Sequence, residues 1–223
     1  MKNCTNVRAK KDGFHFSKIR LHLTAGIKNL VAESSRSMIS LQAASIILKE
    51  QGIEVIKLVE QIKIVSLLGI VFPKIYPRYF SGNHPEFGEI KLHRPFFFIA
   101  QPRVKISVGE KNYEIWKIGS EKINPNADIV SSVYEGSTQI GMIRKKNLTI
   151  NESDQYKSEF DHDIVPEIAS LFLTIADYFF HQTSVMGNGS SLEFNYASSE
   201  KTTSIIYLKE KKFDPMWQPK QVH

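Results

Sequence analysis

The segment IVPEIASLFLTIADYFFH, residues 164–181, decides how the rest of this chain must be arranged. Read at 3.6 residues per turn it is a helix. Ile164, Ile168, Leu171, Phe172, Ile175 and Phe179 line one side, and Val165, Ala169, Leu173, Ala176 and Phe180 line the other. The only charges well inside it are Glu167 and Asp177. A helix that is apolar all round has no face to offer to water, so it must be surrounded. It falls short of the roughly 20 apolar residues of a membrane span, and its charges argue against that use. The fold is therefore set by whatever wraps residues 164–181.

The flanking sequence supplies strands. Arg103 to Val108 alternates, with Val104, Ile106 and Val108 on one face. A turn at 109–112 leads to a second alternating run, Tyr113 to Ile118, and the two form a hairpin. Ile129 to Tyr134 and Gln139 to Arg144 flank a turn at Glu135, Gly136, Ser137 and Thr138. Phe96 to Ile99 is a short aromatic run. Leu192 to Tyr196 and Ser204 to Leu208 form a last pair after the helix. Sheet edges left open invite pairing with other chains, so they are closed or covered. An antiparallel β-barrel enclosing the hydrophobic helix satisfies both the helix and the edges.

The N-terminal part follows another grammar. Residues 1–13 are polar and basic and are expected to be a disordered tail. The run Phe16 to Leu23 fits strand or helix equally. Residues 37–50 read as a helix capped by Ser37, with Met38, Leu41, Ala44, Ile47 and Leu48 on one face. Residues 53–72 repeat the pattern with Ile53, Ile56, Val59, Ile62, Leu67 and Ile70. Prolines at 73, 77, 85 and 95 then break regular structure. The expected class is thus α+β. A basic, mostly helical region over 14–80 precedes a barrel domain over 81–213, with its central helix at 164–181 and an extended tail at 214–223.

The run GSTQIGMIRKK, 136–146, with Asp154 to Tyr156, Phe160 to Asp163 and Phe172 to His181, resembles the tubby-like superfamily. Within that superfamily it is most similar to phospholipid scramblases and the plant LURP-one-related proteins. The resemblance covers residues 134–181. It implies a twelve-stranded barrel around the apolar helix. The stretch from Phe96 to Phe213 has barely room for twelve strands. Either the barrel is reduced, or part of 14–80 supplies strands. The resemblance also implies lipid or membrane-surface association without catalysis, with Arg144, Lys145 and Lys146 gripping a phosphoinositide. From scramblases it implies a calcium loop at Asp154, Asp161 and Asp163, with Glu159 nearby. The plainer reading of Asp161 and Asp163 is that they complement the dipole at the helix N-terminus.

Charge is uneven. The chain carries 29 Lys/Arg and 23 Asp/Glu, a net of +6, and residues 1–80 are the basic part. Such a region suits an anionic membrane, an acidic protein met through the N-terminal helices, or nucleic acid. Nucleic-acid binding is the alternative function, and a hydrolase around Asp161, His162 and Asp163 is the second alternative. Cys4 is the single cysteine, so neither a disulfide framework nor a zinc cluster is expected. A reducing, cytoplasmic setting with peripheral membrane contact is the expected location. No H-E-x-x-H, G-x-S-x-G or P-loop pattern occurs. The expected protein is not an enzyme and needs no cofactor, calcium being the one candidate.

Overall fold

Alternation of apolar and polar residues, the mark of a half-buried strand, governs most described segments, the N-terminal ones included. The computed structural model describes residues 5–11, 18–35, 43–61, 77–95, 103–118, 129–146, 155–161, 163–180, 213–214 and 216–220. These form β1 (Thr5–Lys11), β2 (Lys18–Ala25), β3 (Lys28–Ser35), β4 (Ser45–Glu50), β5 (Ile53–Glu60) and β6 (Arg78–His84). They continue as β7 (Gly88–Arg94), β8 (Arg103–Val108), β9 (Lys111–Ile118), β10 (Ile129–Glu135), β11 (Thr138–Lys146) and β12 (Gln155–Phe160). One helix, α1 (Pro166–Phe180), follows.

The twelve strands close into one antiparallel barrel. Each pairs with its neighbours in sequence. The ring shuts where β1 meets β12, with Thr5 opposite Phe160 and Lys10 opposite Gln155. Closure leaves no edge among these strands. Helix α1 fills the interior. At about 1.5 Å per residue it is about 22 Å long, close to the length of a strand of seven or eight residues. Its residues from Ile168 to Tyr178 are all buried. Phe172 meets the ring of Tyr113 edge-on at 5.1 Å, and Tyr178 meets Phe80 at 6.0 Å. Pro166 at the first helical position needs no N–H partner there. The Thr5 hydroxyl donates to the carbonyl of Ile164 at 2.6 Å, tying the helix entry to the first strand.

Among its described residues the N-terminal region holds no helix, and this corrects the expectation of a mostly helical 14–80. Its described residues are the strands β2 to β5 and the start of β6. In β4, Ile46 and Leu48 point inward at period two, following Ala44. The outward positions of β4 and β5 also carry apolar residues (Ile47, Ile53 and Val59), which blurs the alternation into an apparent helical stripe. The decisive local signal is Gln51-Gly52. Both take positive φ, +51° and +85°, as a two-residue hairpin turn requires. Positions 62–72 of the expected second helix lie outside the described residues, as do the expected final pair at 192–208 and the run 96–99. The barrel takes strands from both sides of residue 80, with β6 straddling it.

The acidic lead-in to the helix is also a strand. Tyr156, Ser158 and Phe160 of β12 face inward and Gln155 and Lys157 outward. Opposite Phe160 stands Gly141. A Cβ there would lie 2.3 Å from the Phe160 ring, so only glycine lets the ring lie flat over β11 at this point.

Five hairpin turns, β2–β3, β4–β5, β6–β7, β8–β9 and β10–β11, gather at the end where α1 enters. Residues 213–214 and 216–220 lie along the outside of the barrel near that end. The Trp217 indole donates to the carbonyl of Gln139 at 2.9 Å, and the Asp214 amide donates to Gln139 Oε1 at 3.1 Å. Phe213 packs with Trp116 and Tyr134, both buried on the outer side of β9 and β10.

Candidate anion-binding site

Side chains on a strand alternate between faces, so the triplet Arg144-Lys145-Lys146 cannot act as one basic patch. Arg144 faces outward and is half-buried, whereas Lys145 is 2% exposed and points into the barrel. Its Nζ stands 6.0 Å from the ring centre of Tyr156, whose hydroxyl donates to the buried Asp177 of α1. Lys146 is opposite Gln155 in the ladder, and its backbone alone is described. Of the three expected ligand-gripping residues, Arg144 is the one whose described side chain reaches solvent.

The ladder gives Arg144 new companions. Arg144 is directly opposite Lys157 of β12, and Lys157 is directly opposite Arg8 of β1. Three cations thus form a row across three strands at the closure of the barrel. Directly opposed Cα atoms stand roughly 4.5–5.5 Å apart. Lys10, two positions along β1 from Arg8, lies opposite His22 of β2. Arg8, Lys10, His22 and Lys157 are exposed. Like charges directly opposed weaken a sheet, by up to about 1 kcal/mol for each pair. Nearby carboxylates are few. Glu159 reaches Lys157 at 3.0 Å, while Glu33 is taken by Arg20 and Lys49, each at 2.9 Å. The Lys49 hydrogen bond, with that of Arg20, holds the Glu33 carboxyl below its ordinary range despite some burial. Among the described residues, Arg8, Lys10 and Arg144 make no ion pair. Arg8, Lys10 and Arg144 can therefore offer their charge to an anion outside, while that of Lys157 is partly answered by Glu159.

Arg8, Lys10 and Lys157 were not legible as site residues. The first two sit in what reads as a disordered tail, and Lys157 in what reads as an acidic stretch. The signal that was there is the alternation in TNVRAKK, where Val7 and Ala9 turn inward and Arg8 and Lys10 outward.

The acidic residues of the helix entry do other work. Asp161 is buried, its carbonyl accepts the Ile164 amide at 3.1 Å, and its Oδ1 accepts the Lys220 amide at 2.9 Å. Lys220 Nζ lies 3.8 Å from the other carboxylate oxygen. Asp161 and the exposed Asp163 share a pocket of 330 Å³ with Glu135, Thr138, Ile140 and Lys220. Asp154 and His162 lie outside the described residues. Calcium needs six to eight oxygens. Among the described residues no three carboxylates or histidines gather as metal ligands, and Asp161 already faces an ammonium group.

A second set of charges lies partly buried at the barrel end near the C-terminus of α1. Arg78 donates to Glu60 from Nε and Nη2, both at 2.6 Å, and stands 5.3 Å over the ring of Tyr178. Burial works against the charged form of Arg78, but Glu60 and Tyr178 together outweigh it and raise its pKa. Arg94 sits 5.6 Å over Phe179. Burial, with the repulsion of Arg78, pushes Arg94 down to about 10. The last turn of α1 has no basic residue of its own, so these arginines supply the positive charge that a helix C-terminus favours.

Among the described residues no helix is long and apolar enough to cross a membrane. No family model, curated protein or solved structure matches this chain.

Proposed function

We propose that this protein is a non-enzymatic binder of anionic lipid headgroups at a membrane surface, of the tubby and scramblase-like kind. Its contact face is the outer side of β11, β12, β1 and β2. The observation that carries the reading is the directly opposed row Arg144, Lys157 and Arg8. A fold selected for stability alone would not place three cations side by side on neighbouring strands. A surface that meets phosphates gains from it, at about 1 kcal/mol for each Lys or Arg near an anionic bilayer. The twelve-stranded barrel around an apolar helix is the architecture that the tubby-like resemblance implies, and it supports the reading at the level of fold. The expected contact through N-terminal helices gives way to contact through β1 and β2.

Removing residues 1–80 would delete five strands of the barrel, so charge reversal is the usable test. The full chain should float with phosphatidylcholine vesicles containing phosphatidylserine or a phosphoinositide, and stay behind with phosphatidylcholine alone. Arg8→Glu with Arg144→Glu should weaken that binding by roughly 30-fold or more, from about 2 kcal/mol of lost attraction. Undiminished flotation of the double variant sinks the proposal. Tighter binding to duplex DNA than to anionic vesicles, with a steep loss in salt, would move the same face to nucleic acid.

A further inference from the structure

The opposite side of the barrel wall has different chemistry. The outer face of β6 to β9 carries a groove of 660 Å³, within the ~300–1,000 Å³ range of small-ligand sites. Its floor is a cross-strand row of polar side chains, short ones on either side of Lys91. Ser81 lies opposite Lys91, Lys91 opposite Ser107, and Ser107 opposite Asn112. Gln61 Nε2 donates to the Ser81 hydroxyl at 2.7 Å, and the Ser107 hydroxyl donates to Asn112 Oδ1 at 2.7 Å. The wall is the next row, in which Tyr79 is opposite His93 and His93 opposite Lys105. The rings of Tyr79 and His93 are stacked, with centroids 4.5 Å apart and planes 5° from parallel.

The charges here cancel. Lys91 Nζ is 2.7 Å from Glu89, and Lys105 Nζ is 3.8 Å from Glu114. A phosphate or carboxylate finds no surplus cation, which separates this groove from the basic row at the barrel closure. What remains is a line of hydroxyls and amides beside an aromatic wall, in which the Ser81 hydroxyl and the Asn112 amide can donate and the Ser107 oxygen can accept. A pyranose ring has the complementary build, with hydroxyls around its rim and an apolar C–H face for the aromatic side chain. We propose that the groove over β6–β9 binds a short neutral oligosaccharide. Tyr79 and His93 would hold a sugar face, and Ser81, Ser107 and Asn112 its hydroxyls. The inference is independent of the lipid reading.

The test is calorimetric titration of the full chain with three neutral tetrasaccharides: cellotetraose, maltotetraose and chitotetraose. At least one should bind saturably. Tyr79→Ala should weaken it by about tenfold, the loss expected for one aromatic contact. Ser107→Val places a strand-favouring residue at a half-buried outer position, so it keeps the fold. It should weaken the same sugar several-fold. Arg144→Glu, on the far side, should leave the sugar affinity unchanged. No saturable heat with any of the three sugars overturns the proposal. So does wild-type affinity in a folded Ser107→Val variant, or equal weakening by Arg144→Glu.

Discussion

Two faces of one barrel use the same ladder geometry with opposite rules of charge. On β8 and β9, Lys105 faces Glu114 across the strands, and on β2 and β3 Arg20 faces Glu33. These are the pairings that stabilise an antiparallel sheet. Where β11, β12 and β1 meet, Lys157 faces Arg144 on one side and Arg8 on the other. Backbone pairing is continuous through both regions, so the fold does not demand the repulsive arrangement. On the proposed reading, the difference reflects a ligand that the closure face meets outside the chain. It also separates the expected functions, since a charge-balanced groove suits a neutral ligand and a cationic row suits phosphate.

The comparison holds only if the closure face is kept shut by packing, since its outer charges oppose closure. Phe160 is the inner support. It is fully buried, lies over Gly141, and packs against Phe172 at 6.0 Å between ring centres. Phe160→Ala should cost about 3–5 kcal/mol, read as a lower urea midpoint. A loss below about 1 kcal/mol would mean that the outer row itself contributes to closure. The second break is on the outside. Arg8→Glu and Arg144→Glu each turn one like-charge pair with Lys157 into an attractive pair, and neither removes an existing ion pair. Together they should stabilise the fold by about 1 kcal/mol while lifting the protein off anionic vesicles. Stability rising as binding falls is the signature of residues placed for a ligand. A fall in both would remove the contrast between the two faces.

Much of the C-terminal half of this fold is legible in the sequence. Val104, Ile106 and Val108 alternate cleanly because their outward neighbours Lys105 and Ser107 are polar. The helix is legible because both of its sides are apolar, from Ile168 through Phe180. The N-terminal strands are obscured because Ile47, Ile53 and Val59 put apolar residues on the outer face too. An apolar residue on each face reads as a buried helix at that length. The site was half legible. Arg144 can be picked from its strand, and period-two alternation alone turns Lys145 inward. Arg8 and Lys157 could not be joined to it, because their meeting depends on β1 pairing with β12, about 150 residues apart in the chain. No local pattern records that register.

The carboxylate beside the closure face gives a smaller test, one of pH. Glu33 holds Lys49 and Arg20, and these hydrogen bonds keep its folded pKa below the unfolded value. A depressed carboxylate stabilises the fold above the unfolded value, and that stability is lost as pH falls through the folded one. Stability should therefore fall on acidification from about pH 4.5 downward. Part of that fall should vanish in Glu33→Gln, which costs at most about 1 kcal/mol at neutral pH because the pair is partly exposed. An unchanged acid limb in the variant would show that Glu33 is not a paired group in solution.

The smallest effect is the mirror of the arginine reversals and fixes the sign of the whole comparison. Lys105→Glu places two carboxylates opposite each other on the groove face, since Glu114 stands across from it. The lost pair is long, 3.8 Å, and Lys105 is half-exposed, so the cost should be only about 0.5 kcal/mol. The same chemical reversal, cation to glutamate, should thus destabilise one face and stabilise the other. Both shifts should shrink together at about 1 M salt, where the screening length falls to ~3 Å. Urea midpoints of Lys105→Glu and Arg8→Glu in low and high salt give the four values needed. If both substitutions move stability in the same direction at low salt, the opposed charges do not act as pairs. The row Arg144, Lys157 and Arg8 then loses its standing as a site held against the stability of the sheet.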